Sequence, residues 1–317
     1  MRKQPRLVCL GDVTLDIVVH ADAKIDTGTD VPGVVKMRVG GSAANTCRSF
    51  AGAGGKAVFV GAIGDDDLGG RLTRGLRSAG VTVHAARLNG RSARLLVLLS
   101  ADGERSFVTD RGVADSLAPA MIKPGWLTRI DALHIPAYSF LRPPLAEAAY
   151  AAAGRAREAG AFVSVDLASR RPLFAHGRRA ARELISRAEP DLLFANEGEA
   201  AALVGRSDTT RLLELAPLVV IKFGPLGCRV MWRGDGRGEI LQATVATIRI
   251  AATDTTGAGD AFDAGFLHSL IESGYRPGVA RSTHGRGSAA AALRRAALAG
   301  HRSAARLLTA PRKELPA

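Results

Sequence analysis

Asp254-Thr255-Thr256-Gly257-Ala258-Gly259-Asp260, running on into Ala261-Phe262-Asp263-Ala264-Gly265-Phe266, sets a glycine turn, the start of an apolar helix and a carboxylate side by side. Small residues let a backbone approach a ligand closely. A helix start offers unpaired N–H groups and a partial positive charge to an anion. A carboxylate at such a place can take a proton from a hydroxyl that attacks a bound phosphate. A bare Gly-x-Gly-Asp string would be only an Asp-capped helix after a turn. The full heptad with a helical pattern behind it favours the chemical reading.

Outward from this stretch, short apolar runs alternate with longer helical patterns, the signature of βαβ units and a mostly parallel sheet. Strands are expected at 7–10, 58–62, 132–135, 162–165, 192–195 and 218–223. Helices are expected at 42–52, 69–79, 144–158, 178–188, 197–204, 208–215, 259–273, 277–299 and 303–308. Two regions break the alternation, 13–39 and 91–112. The second carries an Asp102-Gly103 turn between β-rich runs, a strong hairpin signal. Together they predict a small β lid over one edge of the ligand cleft, the alternative being an antiparallel extension of the main sheet. The tail 310–317, with two prolines, reads as a surface strand or loose end. No repeat or linker divides the chain, so residues 1–317 are expected to form one domain.

Composition narrows the class. Of 317 residues 47% are hydrophobic but only 5% aromatic, so aliphatic side chains must fill the core. No run approaches the length of an apolar membrane span, and the basic amino terminus runs into an apolar stretch too short for a signal peptide. A cytoplasmic protein is expected. Cys9, Cys47 and Cys228 form no metal-site spacing and read as buried thiols. With 43 basic and 30 acidic residues the net charge is +13. The arginines are scattered as singles and pairs with no aromatic interleaving, which argues against a nucleic-acid surface. A positive field would still gather phosphorylated ligands.

Three further constellations carry polar chemistry. Gly40-Gly41 precede a helix start with Asn45 on its first turn, and Asp16 follows the first strand. Glycines allow close approach, and the amide and carboxylate suit sugar hydroxyls. Asp12 reads as a turn cap. Asn196 and Glu199 share a face directly after a strand, fit either for a capping box or for ordering magnesium-bound water near a triphosphate. Lys222 enters a turn holding Gly224 and Gly227, which by pattern is a β-hairpin and by chemistry a place for nucleotide phosphates.

These elements, in this order, resemble the ribokinase-like (phosphofructokinase-B) family of carbohydrate kinases. The amino-terminal match extends through Gly61–Gly69, and the resemblance covers nearly the whole chain. It implies a three-layer αβα sandwich with a mostly parallel sheet and a small β lid. It also implies a catalytic base at Asp260, an anion hole at Gly257, Ala258 and Gly259, and sugar contacts at Asp16, Gly40, Gly41 and Asn45. ATP contacts would fall on Asn196, Lys222, Gly224, Gly227 and Gly259. Mg2+ would be held through water by Glu199, and a monovalent cation such as K+ by Asp254 and Thr256. The chain departs from the family at Arg111-Gly112-Val113-Ala114, at Ala168 in Asp166–Arg170, and at Lys222, where threonine is usual. Near the adenine, His284 or Ser288 stands where an Asn is common.

The expected activity is ATP-dependent phosphorylation of a sugar hydroxymethyl group. A nucleoside kinase is the near alternative, with Trp126, Tyr138, Phe140 and Phe107 as the only aromatics available to stack a base. Arg38, Arg105 and Arg111 could form a pocket for an acceptor that already carries a phosphate. Outside the enzyme class stand a ligand sensor without turnover and a nucleic-acid binder. The apolar run Leu95–Leu99 points to a homodimer through the lid.

Overall fold

Short apolar runs become strands buried on both faces, as parallel sheets require. In the first strand Val8 and Leu10 enter one core while Leu7 and Cys9 enter the other. The structure, a computed structural model, describes residues 4–25, 27–99, 105–168, 170–234, 239–252, 254–278 and 286–315. The Asp102-Gly103 turn, His284 and the side chains of Arg105 and Ser288 fall outside them. The first half of the chain supplies β1 (Arg6–Leu10), β2 (Thr14–Ala21), β3 (Gly33–Gly40), α1 (Ser42–Gly52), β4 (Lys56–Gly64), α2 (Asp67–Ser78), β5 (Thr82–Leu88), β6 (Arg94–Leu99), β7 (Arg105–Asp110), β8 (Ala132–Pro136) and α3 (Leu145–Glu158). The second half adds β9 (Phe162–Asp166), α4 (Arg170–Leu173), α5 (Gly177–Ala188), β10 (Leu192–Asn196), α6 (Glu197–Val204), β11 (Leu218–Lys222), β12 (Cys228–Arg233), β13 (Ile240–Val245), α7 (Ala258–Glu272) and α8 (Arg286–Thr309).

The main sheet runs β13-β12-β11-β10-β9-β8-β1-β4-β5, parallel except where β12 joins β11 and β13. Helices α3, α5 and α6 bury Ala149, Ile185 and Leu203 on one face; α1, α2, α7 and α8 bury Cys47, Leu72, Phe266 and Leu293 on the other. The expected three layers are therefore present. The chain starts in the middle of the sheet at β1, builds outward through β4 and β5, then returns to β8 on the other side. That reversal opens a crevice beyond the carboxyl ends of β1 and β8, where ligands bind in sheets of this kind.

A separate sheet of order β3-β2-β6-β7 stands apart from the main one, with β2 parallel to β6 and the other pairs antiparallel. Both segments expected to form a lid contribute to it. Val18, Val97 and Leu99 make its small core, while Val34, Val35, Met37, Phe107 and Val108 on its edge strands are exposed.

Several expectations need correction. The two helices expected at 277–299 and 303–308 run together into the continuous α8, and 277–278 precede it as a turn. Gly300 does not break α8, because its bare backbone packs on α7: a β-carbon there would lie 2.8 Å from the Phe262 ring. Residues 209–214 form 3-10 rather than α turns. Strands β5 and β13 were not anticipated, since their faces are mixed rather than uniformly apolar. Of the two readings of the tail, a surface strand or a loose end, the loose end fails along its described length, for Leu315 is buried and donates its N–H to the Met37 carbonyl at 2.7 Å.

Candidate active site

The glycine turn delivers α7 to the crevice. Gly257 caps the helix at φ 77°, a conformation favouring glycine. Of the three N–H groups expected to face an anion, at Gly257, Ala258 and Gly259, one is used within the turn. The Ala258 N–H is used locally, donating to the Thr255 carbonyl at 3.1 Å. The N–H groups of Gly257, Gly259 and Asp260 donate to no group among the described residues, so they form the free face. A β-carbon on Gly257 would lie 3.3 Å from the Asn45 amide, and one on Gly259 would lie 3.4 Å from the Lys222 ammonium. The turn thus lies between two groups of polar side chains.

On the Asn45 side, α1 and α7 meet. The Ser42 hydroxyl donates to Asp260 Oδ1 at 2.6 Å and the Asn45 amide donates to Oδ2 at 3.0 Å. Asp260 keeps some exposed surface, but its carboxyl is enclosed, and burial pushes its pKa up to about 6 against the lowering effect of those two donors. Asp16, on β2, is buried and accepts from the Thr14 hydroxyl at 2.6 Å. Burial, with Asp12, Asp260 and Asp254 nearby, raises it to about 7 despite Thr14. Gly40 pairs with Thr14 across β2–β3, two residues from Asp16, and a β-carbon at Gly40 would collide with the Asp16 carboxylate. Gly41, at φ 94°, caps α1 and carries the chain past Asp12. Asp12 is not a turn cap: it accepts from Arg111 at 2.5 Å, and Arg111 also grips Asp115 at 2.7 Å.

On the Lys222 side, three carboxylates surround one ammonium. Lys222 Nζ lies 3.0 and 3.1 Å from the Asp263 oxygens and 3.3 Å from Asp166 Oδ2. Burial alone would strip its proton, but Asp166, Asp263 and Glu199 hold it charged well above the ordinary lysine range. Burial likewise pushes Asp263 up, so the fixed member of the group is the ammonium. Asn196 and Glu199 form the full capping box of α6, with Asn196 N–H donating to Glu199 Oε2 at 2.8 Å and Glu199 N–H to Asn196 Oδ1 at 2.9 Å. Burial and the Asp166 charge raise Glu199 to about 7. Gly224 and Gly227 shape the turn after β11 at φ 56° and 100°.

These residues fit a divalent cation. Their donors are hard carboxylate oxygens in excess of the one ammonium, and Asp166 Oδ1 is buried without a hydrogen bond. Among the described residues no group of three or more His, Cys, Asp or Glu could hold a metal ion unaided, so phosphates and water would have to complete the shell. A monovalent cation fits poorly. The Asp254 carboxylate accepts from Arg38 at 2.5 Å and from the Thr256 N–H at 3.0 Å. The carbonyls of Asp254 and Thr256 both accept from Arg312 Nη2, at 3.1 and 3.0 Å. Asp254 and Thr256 are therefore guanidinium partners.

Other expected contributors are committed elsewhere. Phe140 is buried in the core, Trp126 stacks on His84 at 4.8 Å, Arg111 lies over the Tyr138 ring, and Phe107 is exposed on the smaller sheet. Sequence reasoning missed Ser42, Asp166 and Asp263 as site members. Ser42 opens the helix after Gly40-Gly41, and Asp263 lies one turn beyond Asp260, so both had a local signal. Arg312 had none.

A family profile described as pfkB family carbohydrate kinase matches residues 4–311. An ATP-dependent ribose-1-phosphate kinase from Halopiger xanaduensis is 31% identical over 85% of this chain and 86% of its own. A probable chloroplastic fructokinase-6 from Arabidopsis thaliana is 30% identical over 85% of this chain and 71% of its own. The crystal structure of an adenosine kinase from Sinorhizobium meliloti is 25% identical and superimposes with a TM-score of 0.78, covering 99% of this chain and 98% of that one.

Proposed function

Because the chain belongs to the pfkB family of carbohydrate kinases, we propose that it transfers the γ-phosphoryl group of ATP to a hydroxymethyl group of an unphosphorylated sugar. The observation that carries this reading is Asp260, held by Ser42 and Asn45 beside the free N–H groups of the Gly257 turn. The sugar oxygen attacks the γ-phosphorus, the bond to the bridging oxygen breaks with its electron pair leaving on ADP, and the hydroxyl proton passes to Asp260. A carboxylate has about four lone-pair sites, so Asp260 can accept this third bond without releasing its holders. The N–H groups of Gly257, Gly259 and Asp260 stabilise charge on the moving phosphoryl group. Asp16 and Asn45 orient the acceptor, and Lys222 presents fixed positive charge to the phosphates from the other side. Bound Mg2+, reached by Asp166 and by Glu199 through water, would neutralise charge on the phosphates. Gly224 and Gly227 keep the turn after β11 open for the nucleotide. The smaller sheet acts as a lid that excludes water, and its exposed apolar edges join two copies into a dimer.

The committed arginines favour an unphosphorylated acceptor. Arg38 is paired with Asp254, and Arg111 with Asp12 and Asp115, so neither is left for a sugar phosphate. Phe140, Trp126 and Tyr138, engaged elsewhere, likewise favour a sugar over a nucleoside, with Phe107 the one exposed member of the four. Among the described residues no helix is long and apolar enough to cross a membrane, and the three free, buried cysteines suit a reducing compartment such as the cytoplasm. A panel of fructose, ribose, ribose-1-phosphate and adenosine, assayed for ADP formation with Mg-ATP, tests the reading. Turnover with fructose or another free sugar above the others is expected. Preference for ribose-1-phosphate or adenosine would overturn the acceptor, and no turnover with any sugar or nucleoside would overturn the activity.

A further inference from the structure

The turn that presents the free N–H groups is held from behind by two guanidinium groups. Arg312, in the segment after α8, inserts one nitrogen between the carbonyls of Asp254 and Thr256 at 3.1 and 3.0 Å. Arg38, on β3 of the smaller sheet, bonds the Asp254 carboxylate at 2.5 Å. The Thr256 carbonyl shares its peptide unit with the free Gly257 N–H, and the Asp254 carbonyl lies two residues earlier on the same turn. Positive charge bound at the Thr256 carbonyl polarises that unit so that its N–H end becomes a stronger donor to the transferred phosphoryl group. In many enzymes that task falls to a bound alkali cation. Here the oxygens it would need already accept N–H donors. Among the oxygens of Asp254 and Thr256, Thr256 Oγ1 is the one buried without a hydrogen bond, and one hydroxyl is not a coordination shell. Two arginines adjoining Asp254, with Arg48 close enough to repel Arg312, make the spot hostile to another cation.

We propose that Arg312, seconded by Arg38, is a built-in cation that organises the Gly257 turn, so that this kinase works without a monovalent metal ion. Arg312 is a positioning residue: it acts through the backbone of 254–256 and touches no reacting atom. Its segment is fixed independently, since the Leu315 N–H bonds the Met37 carbonyl on β3 and the Leu315 side chain is buried. The guanidinium is therefore delivered by a segment pinned to β3 at Met37, the neighbour of Arg38. The inference rests on the kinase reading for its activity arm, but its binding arm does not.

The test compares KCl, NaCl, CsCl and tetramethylammonium chloride at one ionic strength. The wild-type melting temperature should agree across the four within about 1 °C, as expected when no ion binds selectively to the folded state. Turnover should agree within about twofold, well inside the loss caused by removing one oxyanion donor. A K+-selective rise in wild-type melting temperature overturns the proposal even if no substrate is ever found. So does turnover stimulated by K+ about tenfold or more over tetramethylammonium. In Arg312→Ala turnover should fall at least about tenfold in tetramethylammonium. KCl or free guanidinium should restore it selectively, and KCl should now raise the melting temperature. Unchanged turnover, or a loss that neither cation restores, would refute the role. Should Arg312→Ala fail to fold, the wild-type salt series still decides.

Discussion

On the acceptor side of the Gly257 turn, Asp12 and Asp16 come from just before and within the start of β2, Asp254 and Asp260 from the two ends of the turn itself, and each meets its own donor: Arg111, Thr14, Arg38, and Ser42 with Asn45. On the donor side Asp166, Asp263 and Glu199 share a single ammonium. The first arrangement leaves Asp16 and Asp260 poised at about 7 and 6, where a proton can be gained or lost. The second fixes one charge. A carboxylate that must take a proton belongs among weak donors and like charges, whereas a cation that must stay charged beside phosphates belongs among anions. One turn separates the two, so it can serve both substrates.

The largest effect should come from removing the proton acceptor. Asp260→Asn keeps an oxygen for Ser42, so the fold should hold by circular dichroism. Turnover should fall by about 10²–10⁴, the range of a general base. Wild-type turnover in this variant would end the assignment of the acceptor side. Next comes Lys222→Met, which leaves three buried carboxylates without their cation and should cost about 3–5 kcal/mol of stability, as breaking a buried ion pair does. The loss should be greater at pH 8 than at pH 6. Burial raises Glu199 to about 7 in the folded protein, so at the lower pH it protonates and the repulsion eases. An unchanged urea midpoint would show that the donor-side group does not hold the charge assigned to it.

The two sides differed in how plainly the sequence announced them. Gly40-Gly41, Asn45 and the 254–260 heptad are contiguous signals, because a helix start needs its glycine and its polar first turn within a few residues. Strands β1, β10 and β11 were legible for the same local reason, each carrying four successive apolar residues buried on both faces. The bond from Asn45 to Asp260 spans 215 positions, and that from Lys222 to Asp263 spans 41; only the packed sheet brings such partners together. Arg312 lay in a segment read as a surface strand or loose end, since nothing in Pro311–Glu314 foretells that Leu315 will be buried against β3. Charges were misplaced for a general reason: a sequence offers many arginines, and only the fold decides which are already bound. Arg38 and Arg111 looked free for a sugar phosphate and proved to be paired within the site.

A smaller change probes geometry rather than charge. In Gly40→Ala the new methyl would collide with the Asp16 carboxylate, and either β3 or Asp16 must move. Displacing an acceptor-orienting group by about 1 Å can cost about a hundredfold, so kcat/KM for the sugar should fall to that order while the KM for ATP stays near its wild-type value. A matching loss on the nucleotide side would mean that the two clusters are not separable.

The subtlest expectation concerns slope. If both Asp16 and Asp260 must be ionised in the free enzyme, log kcat/KM should fall with unit slope as pH drops below about 7 and with slope two below about 6. These bends belong to the coupled set rather than to either residue alone. In Asp16→Asn the upper bend should vanish and a single unit slope remain. Its bend should lie somewhat below 6, because Asp16 and Asp260 repel one another when both are charged. A wild-type profile of slope one, unaltered by Asp16→Asn, would show that Asp16 binds the sugar in either protonation state. Stability carries the opposite sign. A carboxyl raised from 3.8 to about 7 favours the folded state fully only below its unfolded value, and that contribution is lost as pH climbs through the folded value. The acceptor side should therefore weaken the unliganded protein over the same interval of pH in which it becomes competent.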